Sequence, residues 1–465
     1  MNDTIAITLT GSEVVLEQAA IDAFKVGLRG QLLTSDDAGY DAARTVWNAM
    51  IDKRPALIAR CAGAADVISG VNFARRHGLL LSVRGGGHNV AGNAVCDGGL
   101  MIDLSLMRGI RVDPIRRTVR AEPGLTWKEL DHETLAFGLA TTGGTVSHTG
   151  IAGLTLGGGL GWQAARHGLT CDNLLSADIV TAEGQLLTAN ESQNEDLFWA
   201  VRGGGGNFGV VTSFEYQLHP MPPTILGGMM LYPMEQAREV MRFYRDYSKN
   251  APDDLTAFAG FLTTPDGTNV AAIVAAWFGH PDEAAQHMDP LRKFGTPLAD
   301  LIGQIPYRQL QTLIDDAAPF GIRRYWKSGY FQELPDDLIE LMLKHAATKT
   351  SPYSLIICFH IHGAAARVKP DATAFGARIT QWDFDIITQW QAVAEDAQHT
   401  KWARDFWKEI EPFTRGVYSN HLDADDSVTR VRAAYGKNYE RLVSLKNKYD
   451  PGNLFRMNNN IPPSV

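Results

Sequence analysis

The sequence predicts an α+β protein built in two parts, and three observations carry that expectation. The chain runs to 465 residues, more than one ordinary hydrophobic core organises. Its 45 glycines are clustered, and the three dense clusters all lie before residue 210. From Met221-Pro222-Pro223 onward those clusters stop, and aromatic-rich strands alternate with amphipathic helices. Glycine loops after apolar strands suit backbone that must approach a ligand closely. The later pattern suits a largely antiparallel sheet covered by helices.

In chain order, residues 13–30 place Val15, Ala19, Phe24 and Leu28 at helical spacing behind Ser12, which predicts a capped helix. A strand is expected over Ala56–Arg60, a helix over Ala64–His77 stopped by Gly78, and a buried strand over Leu79–Val83. Together they read as a βαβ-like unit. The last strand opens into Gly85-Gly86-Gly87-His88, where consecutive N–H groups can converge on an anion, with Arg84 as a cation beside them. A pyrophosphate cradle and a tight turn with an exposed histidine both fit that local pattern.

Strands over Leu100–Leu104 and Thr118–Ala121 and a helix over Trp127–Gly138 come next. The stretch 141–162, TTGGTVSHTGIAGLTLGGGLGW, is dense in glycine and almost uncharged. Val146, Ile151, Leu154, Leu156 and Leu160 make it a buried, tightly folded loop, not a solvated linker. Leu174–Thr188 reads as a strand pair turned at Glu183-Gly184. Arg202–Gly209 contains G-x-G-x-x-G (Gly204, Gly206, Gly209), but a dinucleotide-binding fingerprint must open a helix. Val210–Tyr216 is β-branched and aromatic, a strand, so a nicotinamide-binding Rossmann domain does not fit.

In the second part, strands are expected over Leu226–Leu231, Val270–Trp277 and Tyr353–His362, and helices over Met234–Tyr247, Pro335–Ala347 and Thr400–Ile410. Ala433–Tyr449 reads as one helix. Net charge is −9 without a basic block, which argues against nucleic acid as a partner. Cys61, Cys96, Cys171 and Cys358 form no CxxC and no regular spacing, so neither a zinc site nor a disulfide framework is expected. No apolar run reaches membrane-spanning length and no leader pattern opens the chain, so a cytoplasmic protein without a membrane partner is expected.

Six motifs taken together point further: VRGGGHNVAG (83–92), TGIAGLTLGGGLGW (149–162), RHGLTCDNL (166–174), DLFWAVRGGGGNFGVVTSF (196–214), YSNHLD (418–423) and YDPGNLFRMNNNIPP (449–463). In these the chain resembles the FAD-linked oxidoreductases of the berberine bridge enzyme type, within the vanillyl-alcohol oxidase / p-cresol methylhydroxylase fold, from about residue 40 to the end. The resemblance implies a two-part FAD-binding domain, residues 1–220 with 425–465, and an inserted substrate domain, 221–424. It implies an enzyme that oxidises a small organic molecule with FAD, oxygen being the expected electron acceptor.

By the same resemblance His88 aligns with the histidine that bonds the flavin 8α-methyl. Arg84, Gly85, Gly86, Gly87, Asn89 and Gly92 would hold the pyrophosphate. Gly143, Gly144, Val146, Ser147, Thr149, Gly150, Gly153, Leu154, Gly157, Gly158 and Trp162 would follow the flavin ring and ribityl chain. Asp172-Asn173 and Gly203–Gly209 would line the adenosine side or support it structurally, and Val211, Asn420 and Asn458 complete the cofactor set. Relatives with a second covalent link carry a cysteine where this chain has Val146, so attachment through His88 alone is expected. Thr149 stands at a position thought to gate oxygen, usually valine or leucine. Threonine has valine's shape but a polar atom, which leaves oxidase and dehydrogenase both open.

The flavin would carry the redox step, and the protein must remove a proton from the substrate. Ile379–Trp390 reads as a strand whose alternation puts Asp383 and Asp385 on one face. Asp385 matches the carboxylate base of the berberine bridge enzyme. Tyr418 is the competing base, because sugar-oxidising relatives place a catalytic tyrosine there. His360 and His362 share a strand face and are further candidates. A flavoenzyme acting on an alcohol, sugar or amine-type carbon, a nicotinamide dehydrogenase and a flavin carrier without turnover are the functions weighed.

Overall fold

Two smaller sheets and one large sheet organise the chain in a computed structural model that describes residues 4–464. Met1–Asp3 and Val465, the outermost residues of the expected FAD-binding domain, lie outside the described residues. In the first small sheet, Leu57–Arg60 and Leu81–Arg84 both run parallel to Leu100–Asp103, which lies between them. The helix Ala64–His77 makes the crossover between the outer two, and Gly78 ends it in the left-handed region at φ +63°. This is the expected βαβ unit, its strand beginning two residues late. In the second small sheet, Val210–Gln217 sits between Leu174–Val180 and Thr118–Ala121. The residues after the G-x-G-x-x-G match are therefore strand.

The large sheet is antiparallel throughout. Its central order is Ile225–Pro233, Asn269–Trp277, Leu255–Thr263, Leu355–Ile361, Gln381–Trp390, Arg323–Phe331. Period-2 alternation divides its residues cleanly. Ala257, Phe261, Ile273, Ile356, Phe384 and Ile386 join a core with the helices Ala237–Lys249, Asp336–Ala347 and Asp396–Ile410. The opposite face carries Phe258, Leu262, Val274, Leu355, Ile357, Asp383, Asp385 and Ile387 and looks into the main cavity.

The C-terminal stretch leaves this sheet and packs on the first part. Tyr435, Tyr439, Leu442, Leu445 and Ile461 share a core with Val119, Trp127, Phe198 and Phe214. Lys446, fully buried, donates to the carbonyls of Asn207 and Phe455 and pairs with Asp450 at 2.7 Å.

Three local expectations need correction. Residues 13–30 are a strand, Glu13–Leu16, followed by a helix, Gln18–Gly27, because Thr4–Ile7 pairs with residues 13–16. Ser12 therefore does not cap the helix; its hydroxyl bonds within the turn to Thr8 and Thr10. The C-terminal helix is two, Val428–Tyr435 and Tyr439–Tyr449, broken where Gly436 takes φ +53°. The 141–162 loop is buried as expected, but it contains a short helix, Ile151–Leu156.

Candidate functional site

A cavity of about 950 Å³ lies between the glycine loops and the inner face of the large sheet. That is the upper end of the range for ligand sites, roomy enough for an extended cofactor with a small molecule beside it. One wall is glycine backbone. A Cβ on Gly86 would fall 2.5 Å from the backbone of Gly150, and one on Gly150 equally close to Gly86, so the two loops touch through bare backbone. Only glycine permits that approach. Among the described residues, the N–H groups of Gly86, Gly87 and His88 donate to no protein acceptor, which leaves them free for an anion. Gly157 is packed against Asn420 in the same way: its Cβ would lie 2.0 Å from Asn420 Oδ1. These close approaches and the unspent donors fit an FAD laid along the loops.

Most residues expected at the cofactor do line this cavity: Gly85 to Asn89, Gly144, Val146, Thr149, Gly150, Gly153, Leu154, Gly157, Gly209, Val211, Asn420 and Asn458. Others stand behind the wall. The Arg84 side chain turns away from the cavity, pairs with buried Asp103 at 3.2 Å and donates to the carbonyls of Ala43 and Thr45, so it is not the cation beside the turn. Gly92 gives room to Ile51, Gly143 to the Trp127 ring and Gly158 to Phe375. Trp162 packs on Phe258 with ring centroids 5.4 Å apart. Ser147 binds Asp315 through its N–H (2.8 Å) and its hydroxyl (2.6 Å), joining the glycine loop to the other part of the chain.

His88 enters the cavity beside an aromatic group that local reading did not anticipate. Trp47 stacks on it at 4.7 Å and 18°, and Phe320 meets it edge-on at 5.5 Å. Trp47 is held there because its backbone N–H donates to Gly87 O and its indole N–H to Ala318 O, while the next residue, Asn48, bonds to Val90 and Arg324. The Arg324 guanidinium lies 3.7 Å over the Trp47 ring and, among the described residues, donates only to carbonyl-type oxygens. Burial, with His148 and Arg324 nearby, holds His88 well below the ordinary histidine range, so its ring is neutral.

The polar end of the cavity is a cluster on the large sheet. Asp383 and Asp385 point inward from Gln381–Trp390, and Nδ1 of His421 stands 3.2 Å from the first and 2.9 Å from the second. Trp326 donates its indole N–H to Asp385 Oδ1 at 2.8 Å and stacks on the His421 ring at 4.7 Å. The Trp326 hydrogen bond and the His421 charge both fall on Oδ1, so among the described residues Oδ2 of Asp385 has no protein partner, and Asp385 lines the cavity. Asp383 is wholly buried, and its Oδ2 is enclosed. Burial and the neighbouring Asp385 push Asp383 up to about 6. Burial opposes the charge on His421, but Asp385 and then Asp383 outweigh it and raise the imidazole to about 10. The cluster is thus two acids sharing one cation.

Tyr418 borders the same space. Its hydroxyl oxygen accepts from the N–H groups of Gly159 (2.8 Å) and Leu160 (3.3 Å) and from the Asn420 amide (2.8 Å). Burial raises its pKa above the usual tyrosine value, while those three donors favour the phenolate. His360 and His362 do not reach the cavity; they stack on each other at 4.6 Å, and His360 lies against Trp382 in the sheet's outer layer. Cys171 is buried beside Arg378, 3.8 Å from its guanidinium, outside the wall that Val146 occupies.

Trp47, His148, Trp326 and His421 are the site residues that sequence reasoning missed. His148 and His421 sit inside motifs already singled out, so a histidine beside a cofactor motif was the available signal. Trp47 and Trp326 lie outside every motif and become visible only when the chain is folded.

Known proteins resemble this chain along nearly all its length. A family model described as FAD binding domain matches residues 55–190, and one described as berberine and berberine like matches 417–462. An FAD-linked oxidoreductase of Dictyostelium discoideum is 34% identical over 421 residues, 90% of this chain and 91% of the relative. (R)-6-hydroxynicotine oxidase of Paenarthrobacter nicotinovorans is 30% identical over 464 residues, 95% of this chain and 98% of the relative. The crystal structure of 6-hydroxy-D-nicotine oxidase from Arthrobacter nicotinovorans superposes with a TM-score of 0.86 at 28% identity, covering 94% of this chain and 98% of that one.

Proposed function

The chain belongs to the berberine-like FAD-linked oxidoreductases, enzymes that act on small organic substrates, and on that premise we propose that it oxidises an apolar amine, with FAD held through His88 and dioxygen as electron acceptor. The observation that carries the substrate class is the wall facing the glycine loops. Phe258, Leu262, Val274, Leu355, Ile357 and Ile387 offer no hydrogen bonds, and the acid cluster occupies one corner. A sugar would bury hydroxyls without partners there, at roughly 1–3 kcal/mol each. An amine on an apolar body presents one polar group, which the carboxylates attract.

Bound FAD supplies a two-electron acceptor for the substrate C–H bond. Asp385 Oδ2 accepts the substrate N–H proton, being the carboxylate oxygen left free toward the cavity. Trp326 and His421 hold Oδ1 and so orient the group. The apolar sheet face excludes water from the reacting carbon. Tyr418 is the second reading for the base, favoured by the three donors on its oxygen. Attachment solely through His88 is supported by its position at the glycine turn and by valine at 146.

The test is anaerobic bleaching of the flavin by apolar cyclic amines, aromatic alcohols and sugars. Amines should bleach it fastest. A sugar that bleaches it as well as the best amine overturns the substrate assignment.

A further inference from the structure

Two histidines meet where the Gly85–Gly87 turn opens, and the second, His148, has no part in the chemistry described so far. Its Nδ1 stands 2.7 Å from Nε2 of His88, a hydrogen bond in which one nitrogen must hold the proton. The far side of His148 favours one arrangement. The backbone carbonyls of Asp315 and Ala318, the latter already accepting from the Trp47 indole, lie near that ring and only accept. With Nδ1 engaged by His88, those acceptors favour the tautomer of a neutral His148 that carries its proton on Nε2 and a lone pair on Nδ1. In that tautomer the donor in the 2.7 Å bond is His88 Nε2–H, and the bare lone pair of His88 is on Nδ1.

The surroundings maintain this arrangement. Ser147 is clamped to Asp315 by two hydrogen bonds, which places the next residue, His148, against those carbonyls. Trp47 and Phe320 enclose His88, and Phe320 also meets His148 at 5.3 Å. Burial lowers the pKa of both rings, so neither is protonated twice at neutral pH. His148 does not line the cavity itself. It acts through His88.

We propose that His148 is the positioning residue for cofactor attachment: it fixes the His88 tautomer with Nδ1 free to bond the flavin 8α carbon and takes the Nε2 proton as that bond forms. This rests on the attachment through His88 proposed above. In the step, the Nδ1–C8α bond forms and one C–H bond of the 8α-methyl breaks. The methyl proton goes to solvent, and the His88 Nε2 proton passes to His148 Nδ1. The electron pair of the broken C–H bond is left on the isoalloxazine ring and is removed by dioxygen, which leaves with the two protons as hydrogen peroxide. Atoms and electrons then balance, and the ring ends oxidised.

The experiment compares wild type, His148→Ala, His148→Asn and His88→Ala, each purified with its flavin. Total flavin is read from native absorbance and attached flavin from the acid-precipitated protein. The linkage isomer is read by NMR of the flavopeptide. Wild type should be linked through Nδ1. His148→Ala should still bind FAD, with attached flavin lowered at least about 10-fold. His148→Asn, whose amide oxygen can accept the hydrogen bond from Nε2–H but cannot take the proton, should recover part of the attachment, between alanine and wild type. Linkage through Nε2, full attachment in His148→Ala, or an asparagine variant no better than alanine overturns the role of His148. Wild type without acid-stable flavin instead overturns attachment through His88, and the role of His148 with it.

Discussion

Replacing His421 with asparagine tests whether one cation holds the acid cluster together. The Asn amide nitrogen stands near the position of Nδ1, so a polar contact with Asp385 survives and the charge does not. In the wild type that charge faces carboxylate oxygens at 2.9 and 3.2 Å. At such separations an effective dielectric of about 20 gives about 5 kcal/mol per pair before any cost of burial. The rise of His421 from 6.5 to about 10 is a net preference of similar size, about 5 kcal/mol for the imidazolium. Removing one member of a buried pair costs roughly 3–5 kcal/mol.

The sign with pH follows from the two kinds of group. His421, with its folded pKa raised, contributes fully below pH 6.5 and loses that contribution as pH climbs through about 10. Asp383, already raised to about 6, rises further without the cation, so the variant suffers most where its acids must ionise. The stability gap between the two proteins should be small near pH 5, reach about 3–5 kcal/mol at pH 7–8, and close again toward pH 10. Thermal melts of both holoproteins at pH 5 to 10 measure it. A gap that is flat with pH, or widest at pH 5, would refute the ion-pair reading.

Asp385→Asn or Tyr418→Phe should slow anaerobic flavin reduction at least about 100-fold with FAD still bound; near wild-type rates in both variants place the base elsewhere. His88→Ala should release its flavin into the supernatant on acid precipitation, whereas a flavopeptide containing Cys171 would contradict the single link. Flavin reoxidation by dioxygen should be slowed by Thr149→Leu and little changed by Thr149→Val; equal rates in all three proteins remove Thr149 from oxygen control. Gly86→Ala should lose FAD, because its Cβ would press on the Gly150 backbone at 2.5 Å, while Gly27→Ala, with nothing within 4 Å, should bind normally.

Local sequence was sufficient for the features whose cause is local. Runs of glycine after apolar strands mark backbone that must come close to something, and the contact of Gly86 with Gly150 is that closeness. Alternation along Gln381–Trp390 was enough to put Asp383 and Asp385 on one face, since strand periodicity does not depend on partners. The β-branched run after Gly209 was likewise enough to exclude a helix there. The failures were of another kind. Residues 13–16 have helical spacing but became strand because Thr4–Ile7 lay beside them, a tertiary override of a local pattern. Arg84 looked like a ligand-facing cation until Asp103, 19 residues away and wholly buried, claimed it. Only the folded chain could bring Trp47 onto His88, His148 beside it, or His421 between two acids, because each pairing joins segments far apart in sequence. The motifs in this chain determine which cofactor its loops suit. The protonation of its histidines and acids is decided by what the fold packs against them, since charge and tautomer answer to neighbours and burial rather than to sequence position.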